Sequence, residues 1–225
     1  MPSRSRFAVE RKAAVRNAPG GRGAQHKEGV DALIIVDVQR DFLPGGALAV
    51  PGGDAVIEPL NGWLAAFSSR HLPVVLTRDW HPPNHSSFSA QGGPWPPHCV
   101  AASAGAEFAQ TLHVPRDAQV LSKGTDIGGP GYSAFEGGTL ATTLRSAGVT
   151  RVWVGGLATD YCVRATVLDA ISERFTVYLL VDAIRAVDAQ PGDGARAVDE
   201  MCARGAIIVD RGPSAMTEVV ARTNG

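Results

Sequence analysis

The chain has 225 residues, 44% of them hydrophobic and 19% charged, with a formal net charge of -1; this describes one ordinary globular domain with a full core. The near-neutral balance lacks the basic excess of a nucleic-acid binder, so the expected partner is a small molecule. No apolar run approaches the roughly 20 residues of a membrane span. The three cysteines, Cys99, Cys162 and Cys202, are too few and odd in number for a disulfide framework, which points to a reducing, cytoplasmic setting.

Residues 1 to 30 are rich in Arg and Lys, poor in apolar residues and close on glycines, the composition of a disordered basic extension. Glu10, Glu28 and the absence of an amphipathic pattern argue against a transit peptide. The domain is therefore placed at 31 to 225. There, short apolar runs alternate with helical patterns: "ALIIVDV" (32 to 38), "PVVLTRD" (73 to 79), "AQVLSK" (118 to 123), "RVWVGGL" (151 to 157), "FTVYLLVDA" (175 to 183) and "AIIVD" (206 to 210). Near-continuous Val, Ile and Leu predict strands buried on both faces, as in a parallel sheet.

After Asp54, read as an N-cap, Val56, Ile57, Leu60, Trp63, Leu64 and Phe67 share one helical face. Leu140 and Leu144 lead to Gly148, and Val163, Val167, Leu168 and Ile171 follow "GGLATDYCV". Gly148 and Gly205 stand where helices end. The alternation predicts an α/β fold: a doubly wound, mostly parallel six-stranded sheet with helices on both faces. One long connection, 80 to 117, is rich in Pro and Gly, and long loops in compact domains are often functional.

Open parallel sheets bind ligands beyond the carboxyl ends of their strands. The first run closes on Asp37, the second on Asp79 and His81, and the third on Lys123; the fourth leads through Thr159 and Asp160 to Cys162. Four strands thus deliver an acid, a metal-ligand pair, an ammonium and a thiol to one edge. With Thr159 or Asp160 as N-cap, Cys162 falls in a first helical turn, where the helix dipole and Lys123 are expected to lower its pKa and Asp37 to take its proton.

The long connection adds His85 and His98, so three of the six histidines lie within 81 to 98. Oxygen and imidazole ligands suit Zn, Mn or Fe, and no CxxC pair suggests a structural zinc ribbon. Phe42, Trp95 and Tyr132 accompany these residues, and aromatic walls around a few polar groups suit a flat heteroaromatic ligand.

In order along the chain, "IIVDVQRDFLPGGALAV", "TRDWHPPNHSSF", "WPPHCV", "SKGTD", "YSAFEG" and "GGLATDYCV" resemble the nicotinamidase/pyrazinamidase branch of the isochorismatase-like cysteine hydrolases, over roughly residues 31 to 210. The resemblance implies a catalytic triad of Asp37, Lys123 and Cys162. It implies one divalent metal, zinc before iron or manganese, on Asp79, His81 and His98, with His85 a less certain ligand. It implies Phe42 and Trp95 beside a pyridine ring, with Tyr132 close by, and an oxyanion hole of the Ala158 and Cys162 N–H groups, shaped by a cis peptide expected at Ala158-Thr159. The implied reaction converts nicotinamide, and also pyrazinamide, to the acid and ammonia through a thioester, in NAD salvage. Another small-amide hydrolase of the superfamily is the near alternative, because the triad alone selects no ring. A non-catalytic metal- or nucleotide-binding α/β module is the distant one, and the chain lacks a strand-terminal GxGxxG and a Walker sequence. A homo-oligomer is compatible with the sequence.

Overall fold

The computed structural model describes residues 29–129 and 131–216. The basic extension assigned to 1 to 30 lies outside the described residues except for Gly29 and Val30, and Val30 already opens the first strand. The strands are β1 (Val30–Val36), β2 (Val74–Asp79), β3 (Gln119–Lys123), β4 (Val149–Leu157), β5 (Thr176–Arg185) and β6 (Ile207–Val209). The helices are α1 (Ile57–Ser68), α2 (Thr139–Ser146), α3 (Arg164–Ser172) and α4 (Asp193–Ala203).

The strands form a single sheet in the order β3-β2-β1-β4-β5-β6, and every pairing is parallel. In β1, Ala32 through Val36 are wholly buried. Leu33 and Ile35 pack on the side of α1, while Ile34 and Val36 pack with residues of α2 and α3, which is why the run reads as continuous rather than alternating. The chain winds outward through β1, β2 and β3, then returns to place β4 beside β1. The crevice at this reversal is where such sheets hold ligands.

Helix α1 buries Leu60, Trp63, Leu64 and Phe67, each worth about 1.5–3 kcal/mol relative to exposure. Asp54 is not its N-cap. A 3₁₀ turn, Gly53–Val56, runs straight into the helix from Gly52, and no side chain caps it; the Ile57 N–H already has the Asp54 carbonyl as partner, so the amides that a carboxylate would cap lie one turn further upstream. Gly148 and Gly205 adopt positive φ just past α2 and α4, as expected of helix ends.

At the amino end of the sheet a buried ion pair joins the two central strands. Asp31 accepts from Arg151 Nε and Nη2, both at 2.8 Å, and from the Trp153 indole at 2.8 Å.

Candidate active site

At the carboxyl end the strand register assembles a second charged cluster. Asp79 and Lys123 are direct partners in the β2–β3 pairing, so their side chains leave the sheet together. Asp37 lies just past β1 with φ 49°, a left-handed conformation that Asp tolerates better than most residues. Its N–H donates to the Thr77 carbonyl at 3.2 Å, and the Thr77 hydroxyl donates to Asp37 Oδ1 at 2.7 Å. Gln39, fully buried, locks the ends of β1 and β2 together: its amide nitrogen donates to the Asp79 and Ala106 carbonyls, and its oxygen accepts the Asp79 N–H.

The Lys123 ammonium sits at the centre of the cluster. Its three protons have three acceptors: Asp79 Oδ1 at 2.5 Å, the Gly131 carbonyl at 2.8 Å and Cys162 Sγ at 3.2 Å. Asp37 Oδ2 is also only 2.7 Å from Nζ, yet it is buried without a hydrogen bond. Ammonium has no fourth proton to give. That oxygen is a fourth acceptor around three ammonium protons, and so keeps lone pairs for a further proton. Carboxylate oxygens of Asp37 and Asp79 and the Cys162 sulfur all lie within 4.8 Å of one another.

Burial raises the Asp37 pKa to about 6, with Lys123 opposing and Asp79 adding to the rise. Burial acts the same way on Asp79, but Lys123 and His81 outweigh it and hold that carboxyl well below the usual range. Burial disfavours the Lys123 charge, yet the two carboxylates prevail and keep it firmly protonated. Cys162 departs from the sequence expectation of a depressed pKa. Burial pushes the thiol well above its ordinary range, Lys123 does not offset this, and Asp37 and Asp79 push it further. At neutral pH the cluster therefore holds an ionised Asp37 beside an un-ionised thiol.

The thiol stands on a π turn, Thr159–Val163, between β4 and α3. Ala158 is the N-cap, not Thr159 or Asp160, and its carbonyl accepts the N–H groups of both Tyr161 and Val163 at 3.1 Å. The Asp160 carboxylate instead takes the backbone N–H groups of Val187 and Asp188. The cis peptide is Leu157-Ala158, one bond earlier than expected; the Ala158 N–H belongs to this bond and not to the next.

Beside the thiol cluster, Asp79, His81 and His98 bring one donor atom each within 4.8 Å of one another. The segments carrying the histidines run side by side, with His81 N–H bonded to the Cys99 carbonyl and Ala101 N–H to the His81 carbonyl. His81 Nδ1 faces the Gly124 carbonyl at 2.9 Å and His98 Nδ1 the Pro96 carbonyl at 2.8 Å. Carbonyls only accept, so both Nδ1 atoms carry the proton and both Nε2 atoms are left toward the ligand group, that of His81 3.5 Å from Asp79 Oδ2. Burial lowers the His98 pKa and keeps that donor neutral. Gly124, at φ 61°, leaves the space: a Cβ there would strike the His81 ring. Two imidazoles and a carboxylate fit a divalent ion.

His85 is not in this group. Its Nε2 faces the Gly129 carbonyl at 3.0 Å and its Nδ1 faces the Ser87 hydroxyl at 2.7 Å, so both ring nitrogens have protein partners. Its ring lies on that of His81, centroids 4.2 Å apart. Cys99 is buried, its thiol raised by burial and three carboxylates, and it stands outside both clusters.

A cavity opens over Cys162 and the metal-ligand group. Phe42, Trp95 and Tyr132 line it. Trp95 meets Tyr161 edge to face at 5.1 Å and donates its indole N–H to the Tyr132 hydroxyl at 3.4 Å. Tyr161, Val187, Leu48 and Val50 complete the apolar lining and were missed in the sequence. Tyr161 adjoins the cysteine and was within reach of a reading of that turn; Val187 carries no local signal.

The isochorismatase domain matches residues 31–212. The chain belongs to that family. The nicotinamidase of Escherichia coli strain K12 is 40% identical over 198 residues, covering 79% of this chain and 93% of its own. Among solved structures, the pyrazinamidase of Pyrococcus horikoshii in complex with zinc has a TM-score of 0.76 at 51% identity, covering 80% of this chain and 98% of its own. An L. infantum relative in complex with nicotinate has a TM-score of 0.75 at 41% identity, covering 81% of this chain and 93% of its own. Among the described residues no helix is long and apolar enough to cross a membrane.

Proposed function

We propose that this protein is a nicotinamidase, hydrolysing nicotinamide to nicotinate and ammonia through a thioester on Cys162, and that it accepts pyrazinamide as well. The observation that carries the reading is the unsatisfied Asp37 oxygen beside Lys123 and the Cys162 thiol, under an aromatic-walled cavity. Asp37 takes the thiol proton as sulfur attacks the amide carbon. The Ala158 and Cys162 N–H groups receive the developing oxyanion. Asp37 passes its proton to the departing nitrogen, ammonia leaves, and the thioester remains. Asp37 then takes a proton from water, whose oxygen attacks the thioester carbon. The acid departs and the proton returns to sulfur.

Lys123 keeps Asp37 ionised and close, and favours the thiolate while it exists. Because the resting thiol is un-ionised, proton transfer accompanies attack instead of preceding it. Phe42, Trp95 and Tyr132 hold the flat ring. Asp79, His81 and His98 would hold a divalent ion, zinc by the similarity to the Pyrococcus enzyme, which supplies an acceptor for the ring nitrogen and so fixes the amide against the thiol. The reaction belongs to NAD salvage, and the free state of Cys99, Cys162 and Cys202 suits the cytoplasm.

Ammonia release tests the reading. Nicotinamide and pyrazinamide should be turned over, a non-aromatic amide poorly, and a chelator should suppress all turnover. Normal ammonia release from nicotinamide by Cys162→Ala rules it out.

A further inference from the structure

Part of the cavity lining is held in place by a side chain from the nucleophile turn. Val187 lies past the end of β5 in the connection to α4, and it lines the cavity. The Asp160 carboxylate grips this connection with both oxygens: Oδ1 accepts the Val187 N–H and Oδ2 the Asp188 N–H, each at 2.9 Å. Asp188 is itself in the left-handed region at φ 52°, and its own carboxylate accepts the Gly194 N–H at the start of α4 at 2.7 Å. One carboxylate two residues before the reacting sulfur thus fixes the backbone of this part of the lining. The neighbouring Tyr161 completes the link from the other side, since it shares the cavity with Val187 and packs on Trp95.

We propose that Asp160 is a positioning residue that latches the Val187 wall to the nucleophile turn and thereby sets the width of the slot for a planar ring. The inference deepens the nicotinamidase reading and rests on it for the ring. Charge-assisted bonds to backbone N–H groups are among the stronger ones in a protein, and here both donors lie in a connection between elements. Without them Val187 is free to move outward, and the slot loses contact with the ring faces while the Asp37–Lys123–Cys162 cluster keeps its own bonds.

Two readouts test the latch. The first is amide hydrogen exchange of the whole protein, followed residue by residue. In Asp160→Ala the Val187 and Asp188 amides should exchange at least about tenfold faster, because a lost charge-assisted bond changes an opening equilibrium by that order; Asp160→Asn, which retains one acceptor oxygen, should fall between. The second is steady-state turnover of nicotinamide. Asp160→Ala should raise KM about tenfold with kcat within about threefold, Val187→Ala should reproduce the KM change, and the double variant should be no worse than either single one. Unchanged exchange at Val187 and Asp188 overturns the latch, as does faster exchange with an unchanged KM, or a fall in kcat at constant KM. Failure of the wild-type protein to hydrolyse nicotinamide sinks the functional reading instead, and leaves the exchange result to stand by itself.

Discussion

Strand β1 carries an aspartate near each end, and both face a buried cation, yet the two ends are built differently. Asp31 meets a guanidinium whose fork matches its two oxygens, and an indole N–H fills a further lone pair. Asp37 meets an ammonium that has already given its three protons to Asp79, Gly131 and Cys162, and one of its oxygens goes without. The first end is satisfied and joins β1 to β4. The second is short of one proton, and that shortage is what lets a carboxylate act as a base. Competition for the ammonium protons, added to the burial that raises the Asp37 pKa, separates the reactive pair from the structural one.

The sharpest way to break this contrast is substitution at each end. Cys162→Ala should lower kcat/KM by about 10⁴-fold or more while the melting temperature stays within a few degrees. Arg151→Met should do the reverse. It leaves Asp31 charged in the interior without its cation, with the Trp153 indole N–H still donating to it, which costs about 3–5 kcal/mol of stability, measurable by urea unfolding, while the folded fraction keeps its turnover. Asp37→Asn should inactivate and yet stabilise the metal-free protein at pH 7. Its carboxyl titrates near 6 in the fold against 3.8 in the unfolded chain, so keeping it ionised costs about 3 kcal/mol. A fall in stability on Asp37→Asn matching that of Arg151→Met would show that the two ends are alike.

The same contrast explains what the sequence discloses. Parallel strands buried on both faces leave unbroken apolar runs, and the polar residue closing each run is conspicuous, so Asp37, Asp79, Lys123 and Cys162 were all legible. Strand register was not: that Asp79 and Lys123 are direct partners depends on how β2 and β3 align. The un-ionised thiol was also hidden, because helix position and a nearby lysine both point toward a thiolate, while the burial and second carboxylate that outweigh them exist only in three dimensions. Gln39, Tyr161 and Val187 escaped for a related reason. Their partners are 67, 66 and 27 residues distant at the farthest, at Ala106, Trp95 and Asp160.

The metal-ligand group offers a smaller test of the rule that a filled donor is an unavailable one. His98→Ala removes a ring whose Nε2 is free, and should weaken Zn²⁺ binding by about 100-fold or more, read by competition with a chelator. His85→Ala removes a ring whose nitrogens are engaged by Ser87 and Gly129, and should weaken it by about tenfold at most, through the lost stacking on His81. Equal losses in the two variants would make His85 a ligand.

The finest effect is the pH dependence. Asp37 must be ionised to take the thiol proton, and burial, opposed by Lys123, sets its pKa at about 6. The rate kcat/KM for nicotinamide should therefore be level just above neutrality and fall about tenfold per unit below pH 6. Stability runs the other way. The folded protein binds this proton more tightly than the unfolded chain, so the contribution of Asp37 to stability is fully present below pH 3.8 and is lost as pH rises through about 6. Between those limits activity grows with pH while this contribution to stability declines, and the inactive Asp37→Asn should lose the stability slope. A stability slope that survives in Asp37→Asn would show that the group titrating near 6 is not Asp37.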